Sequence, residues 1–102
     1  MRRKVTWSRA ALDDLGDAFE FIAQKRLEYA YYLVDEIEAA GNRLGAAATG
    51  HPGRMAGTFE KSLPKLKYII AYDLEPSRKD GVITILRVIH TSRNWNPGNW
   101  PD

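Results

Sequence analysis

Cysteine is absent from the 102 residues, which rules out disulfides and thiolate metal sites and fits a reducing compartment. There are two histidines, His51 and His90, far apart in the chain and never paired at metal-ligand spacing, so no metal or other cofactor is expected. No apolar run approaches the length of a membrane span. The basic opening MRRKVTWSRAA has no apolar stretch behind it, so a soluble, cytoplasmic protein is expected. No glycine-rich phosphate loop precedes a helix, and no local Ser/His/Asp signature is present. A chain of this length suits a single domain over residues 1–102, large enough to bury roughly two-thirds of the surface its unfolded form exposes.

Charge is small in sum and segregated in sequence. The formal net charge is +2, yet residues 1–9 carry four bases and no acid. Residues 10–42 hold eight acids against Lys25 and Arg26, and residues 43–72 hold five bases against Glu60. A basic side of this kind attracts phosphate or an acidic partner. An acidic solvated helix face with ordinary surface lysines accounts for the same distribution.

The strongest regular signal is Val82 to His90, a run of β-branched and large apolar residues that reads as a central strand covered on both faces. Arg87 interrupts it and needs a charged partner or a wet surface. Upstream, Lys4 to Trp7 is a short strand and Ser8 an N-cap, with Trp7 and Leu12 at hydrophobic-staple spacing. Leu12, Leu15, Phe19, Ile22 and Ala23 then mark the inner face of a first helix, with acids toward its start and Lys25 and Arg26 at its end. A phase shift over residues 26–29 separates it from a second helix beginning at Ala30 and packing through Leu33, Val34, Ile37, Gly41 and Leu44. Tyr31 and Tyr32 fall on the flanks of that stripe. Residues 45–57 read as a loop, where His51 and Arg54 receive no role. Phe59 to Leu63 and Lys67 to Leu74 are strands joined by a turn at Pro64 to Leu66, with Tyr68, Ile70, Tyr72 and Leu74 on one face. Asp80 and Gly81 signal the turn into the last strand.

The element order predicts an α+β fold: an N-terminal strand, a helical hairpin, then a three-stranded antiparallel meander, forming a two-layer α/β sandwich. The face away from the helices is open, and Arg87, Lys61 and either Tyr72 or its neighbours could converge there; the sequence leaves open which face each occupies. The basic and aromatic residues Arg87, His90, Arg93, Trp95 and Trp100, with the lysines of residues 61–67, suit an acidic protein, a nucleic acid, or proton transfer on RNA. Equally, Arg87 could pair with an acid while the tryptophans close the edge of the core.

Four segments in order, VTWSRAALDDL, AYYLVDEIEAAGNRL, GHPGRMAGTFEKSLPKLKYIIAYDL and ITILRVIHTSRNW, resemble the ParE branch of the RelE/ParE superfamily of bacterial toxins. The tail NWNPGNWP is similar to the Trp-Pro tail of some ParE proteins, whereas Asn94 stands where an Asp is common. The resemblance implies a RelE/ParE-like fold and a toxin that inhibits DNA gyrase, has no catalytic residues and is neutralised by a ParD-like antitoxin. It implies target contacts through Arg87, His90, Arg93, Trp95 and Trp100. Antitoxin contacts are expected through Tyr31, Tyr32, Lys61, Lys67 and Arg87, with an apolar segment laid across the hairpin and sheet edge. RelE relatives instead cut messenger RNA on the ribosome; on that alternative Lys61, Lys65, Lys67, Tyr72, Arg87 and His90 would carry protons or bind phosphate.

Overall fold

In the computed structural model, which describes residues 3–74 and 81–92, the strand Ile83–His90 (β5) lies between two neighbours of opposite sense. The elements run β1 (Val5–Trp7), α1 (Arg9–Ala23), α2 (Leu27–Arg43), β2 (His51–Pro52), β3 (Thr58–Leu63), β4 (Tyr68–Leu74) and β5. They build one five-stranded sheet in the order β1-β5-β4-β3-β2. The antiparallel meander of β3, β4 and β5 is as the short turns predict. β1 pairs parallel to β5, with Val5 opposite Ile83, a connection that the two intervening helices make long enough. β2 is a strand where composition predicts only loop, its two residues pairing with Phe59 and Glu60.

Ser8 caps α1 by accepting the Ala11 N–H at 3.0 Å. The buried stripe differs by a residue from the one the large side chains predict: Ala11, Leu15 and Ala18 face inward, with Ile22 packed beside them. Leu12 is 48% exposed. Alanines at two of these inner positions let the helix backbone approach the sheet, a closeness that a leucine at the same place would prevent. Helix-dipole stabilisation of α1 by its charged residues is small, because its first turn holds no acid and its last turn no base and the effect fades within a turn.

The break between helices falls at Gln24–Arg26, so α2 begins at Leu27 rather than Ala30. Both Lys25 and Arg26 donate their N–H groups to the Ile22 carbonyl, at 3.0 and 2.8 Å, closing α1 without glycine or proline. α2 buries Ala30, Leu33, Ile37, Ala40 and Gly41. Gly41 is required by contact: a Cβ there would lie 2.6 Å from the Trp7 ring, whose Nε1 donates to Asn42 Oδ1 at 3.0 Å. Trp7 thereby joins β1 to the second helix.

The helices and one sheet face share a core in which Leu33, Ile37 and Leu44 meet Ile70, Tyr72, Ile83, Ile85 and Val88. β5 carries an extra residue at its middle: Tyr72 pairs with Ile85 but Ala71 pairs with Arg87, leaving Leu86 unmatched. This bulge moves the core-facing positions from Ile83 and Ile85 to Val88, and reorients the strand where Arg87 sits. Among the described residues no helix is long and apolar enough to cross a membrane.

Candidate functional site

Past Trp7, β1 no longer covers the edge of β5, and α1 takes its place with polar side chains. The Ser8 hydroxyl donates to the Leu86 carbonyl at 2.9 Å, and Asp14 Oδ2 accepts the Val88 N–H at 2.8 Å. Arg87 completes the closure, donating Nε to Asp14 Oδ2 at 2.8 Å and Nη2 to Oδ1 at 2.9 Å. The strand edge is thus satisfied by a serine, an aspartate and a two-pronged arginine, which leaves little for another chain to pair with. Arg87 is 5% exposed. Of the two readings its sequence position allows, the structure displays the ion pair.

Directly beside this closure, at the start of β4 and the end of β5, the Tyr68 ring meets the His90 ring edge-on at 5.1 Å. Ser92 places its backbone N–H 3.1 Å from His90 Nδ1. Asp14, Asp17, Ala18 and Phe21 of α1 form the opposite wall of a cleft of about 280 Å³ that Tyr68, Val88, His90 and Ser92 also line. Burial first, then the neighbouring Tyr29 and Asp14, raise the Tyr68 pKa above the ordinary tyrosine value. That phenol stays protonated, beside carboxylates.

Lys61 lies elsewhere. Its register partner Ile70 is a core residue, and Lys61 lines a groove between β3 and α2 with Ala40, Arg43 and Leu63. Lys65 extends that groove at the β3–β4 turn, while Lys67 sits in the turn with positive φ and accepts the Thr91 N–H on its carbonyl. Tyr72 points into the core, its hydroxyl donating to the Thr49 carbonyl at 2.6 Å and its ring stacked on Phe59; burial raises its pKa. Arg87, Lys61 and Tyr72, whose faces the sequence leaves open, therefore do not converge on the face away from the helices. Lys61 and Tyr72 are turned to the helical side, and Arg87 is fastened at the α1 edge.

Glu60, Ala71 and Arg87 form one cross-strand row. Glu60 is buried and held by Arg54, whose backbone N–H and Nε both reach Oε2 at 3.0 Å while Nη2 reaches Oε1 at 3.2 Å. Arg54, read as an ordinary loop residue, thus anchors the loop ahead of β3. The signal was present: Glu60 is the one acid among the five bases of residues 43–72, placed on a strand.

Tyr31 and Tyr32 are both more than half exposed on α2. Tyr31 meets Phe19 of α1 edge-on at 4.9 Å, and Tyr32 packs beside Tyr29, which Arg26 covers at 5.0 Å. With Leu12, Phe21 and Leu27 also exposed, the hairpin presents apolar surface among its acids. Arg93, Trp95 and Trp100 lie outside the described residues, as do Glu75 to Asp80. Among the described residues no group of three His, Cys, Asp or Glu side chains could hold a metal. Tyr68 and Asp17, which sequence reasoning left aside, acquire their position from the meeting of β4, β5 and α1. Only the pairing register places them beside His90.

Comparison with known proteins supplies a family. A model of the family described as ParE toxin of type II toxin-antitoxin system, parDE, matches residues 5–95. The candidate toxin Y4kP of Sinorhizobium fredii is 30% identical over 95 residues, covering 92% of this chain and 94% of its own length. Among solved structures, one of the chromosomal ParDE system from P. aeruginosa superposes with a TM-score of 0.77 at 20% identity, covering 87% of this chain and 96% of the other. A YoeB/ParE toxin from Agrobacterium tumefaciens gives 0.54 at 16% identity, with coverages of 85% and 97%. The RelBE2 toxin-antitoxin complex from Mycobacterium tuberculosis gives 0.53 at 22% identity, with 88% and 99% covered. The two-layer α+β architecture is that of the RelE/ParE fold.

Proposed function

Because this chain belongs to the ParE toxin family, the toxins of type II ParDE toxin-antitoxin systems, we propose that it inhibits DNA gyrase by binding and is neutralised by a ParD-like antitoxin. The observation that carries the non-catalytic reading is the scattering of groups that could move protons. Tyr72 donates its hydroxyl into the core, and Arg87 is spent on Asp14. Tyr68 and His90 do share a cleft, but Asp17 lines it beside the Arg87-paired Asp14, and the Asp17 charge opposes entry of a scissile phosphate. Lys61 and Lys65, which would offset that charge on the RelE-type alternative, line a different groove.

The antitoxin is assigned to the helical side. Tyr31 and Tyr32 offer aromatic contact area, and Lys61 with Arg43 and Lys65 lines a groove suited to a segment carrying acids; Lys67 follows at the β3–β4 turn. The target is assigned to the end of β5, through His90 and the following Arg93, Trp95 and Trp100. Arg87 contributes to both surfaces by holding β5 against α1. Induced expression in a bacterial host, followed by pulse-labelling, tests this reading. Thymidine incorporation falls before methionine incorporation if gyrase is the target; immediate loss of methionine incorporation with intact DNA synthesis would favour message cleavage.

A further inference from the structure

The cleft between α1 and the ends of β4 and β5 contains a polar group with nothing to do. Tyr68 is 9% exposed, yet its hydroxyl makes no hydrogen bond to any described residue, and its side chain lines the cleft. The ring is buried while the hydroxyl opens on the cleft, where water or a ligand group would be its partner. Around it stand Asp17, which is exposed and has no ion pair among the described residues, and Phe21, four residues on along the same helix face and 65% exposed. Asp14 has already committed both oxygens to Arg87 and Val88.

We propose that this cleft is a socket for an arginine side chain presented by a partner protein. Asp17 would take one edge of the guanidinium, the Tyr68 oxygen would accept a further N–H, and the Phe21 ring would cover its face. Charge disfavours an anion: Asp14 is neutralised by Arg87, which leaves the Asp17 carboxylate as the uncompensated charge on the wall, with no lysine or arginine among the lining residues. Geometry selects arginine over lysine: the two acceptors come from different elements, α1 and β4, and a planar fork spans them while one face stacks on an aromatic ring. The volume, about 280 Å³, suits one long side chain and not a helix. This assignment stands apart from the choice of gyrase as target, because it follows from the cleft alone.

The full chain, titrated with N-acetyl-arginine amide and followed by NMR of the aromatic rings, tests it. Saturable shifts are expected at Phe21, Tyr68 and His90, with binding weakened about tenfold in Asp17→Asn, where a charged hydrogen-bond acceptor is lost. Tyr68→Phe should weaken it about threefold or more while the protein melts as the parent does, since its hydroxyl has no partner to lose. N-butylammonium should bind less tightly than ethylguanidinium. Shifts that do not saturate, or an Asp17→Asn protein that binds as the parent does, would overturn the socket. Tighter binding of free L-arginine than of the capped form would overturn the partner-borne origin and indicate a free metabolite.

Discussion

Replacing Asp14 by Ala tests how α1 is fixed to the sheet. The carboxylate accepts three hydrogen bonds, two from Arg87 and one from the Val88 N–H. Its side chain and that of Arg87 are 11% and 6% exposed, so the modest value of a surface ion pair does not apply. Removing one member of a buried pair costs about 3 to 5 kcal/mol, and the slight exposure of Asp14 places the expected loss near the lower end, at about 3. That is a large part of the roughly 5 to 15 kcal/mol by which a small domain is stable. In urea, with a slope of about 1 to 3 kcal/mol per molar, the midpoint should fall by about 1 to 3 M. The companion variant Asp14→Leu with Arg87→Met removes both charges and should recover much of the loss, because apolar replacement of a buried pair is often neutral. If Asp14→Ala unfolds within about 0.5 kcal/mol of the parent, as an ordinary surface change would, then the pair does not hold the helix and the argument fails.

Gly41→Ala places a Cβ against the Trp7 ring, so overpacking should cost about 1 to 3 kcal/mol, and the Trp7 emission should change as its indole loses Asn42. Tyr68 and Tyr72 have pKa values raised by burial; absorbance titration should show two of the five tyrosines ionising above the ordinary value. A raised pKa means that the folded state holds the proton more tightly, so their contribution to stability is complete below the unfolded pKa and declines as pH climbs through the folded one. Chemical denaturation at pH 9 and at pH 11 should display that decline. Lys61→Glu, placed in the groove beside α2, should weaken capture of a co-expressed ParD-like antitoxin about tenfold without lowering the melting temperature, and calorimetry on the purified pair measures it.

Much of the fold is legible because the elements carry their own periodicity. β5 announces itself through an unbroken β-branched run, and the inner face of α2 through Leu33, Ile37 and Leu44. Other features depend on contacts that no local pattern encodes. Leu12 outranks Ala11 in hydrophobicity, yet Ala11 is inside, since approach of α1 to β5 rewards a small side chain. The bulge at Leu86 changes which residues of β5 face the helices, and only pairing with β4 reveals it. At the site, Arg87 is conspicuous in the sequence because a charge in an apolar strand demands a partner. Asp14 is not, being one of several acids on α1, so the pair emerges only when β1 ends and the helix arrives at the exposed edge. Tyr68 was visible as a strand residue; its place beside His90 and Asp17 required the register.

The claim that this toxin acts by binding gyrase, without cutting RNA, is most directly tested with the purified full chain in two parallel assays. One follows ATP-driven supercoiling of relaxed plasmid by gyrase; the other follows message bound to translating ribosomes by primer extension. The account predicts dose-dependent loss of supercoiling and unbroken message, with activity retained in Tyr72→Phe, whose hydroxyl serves the Thr49 carbonyl and no reaction. Site-specific message cleavage with gyrase unaffected, abolished by His90→Ala, would contradict it.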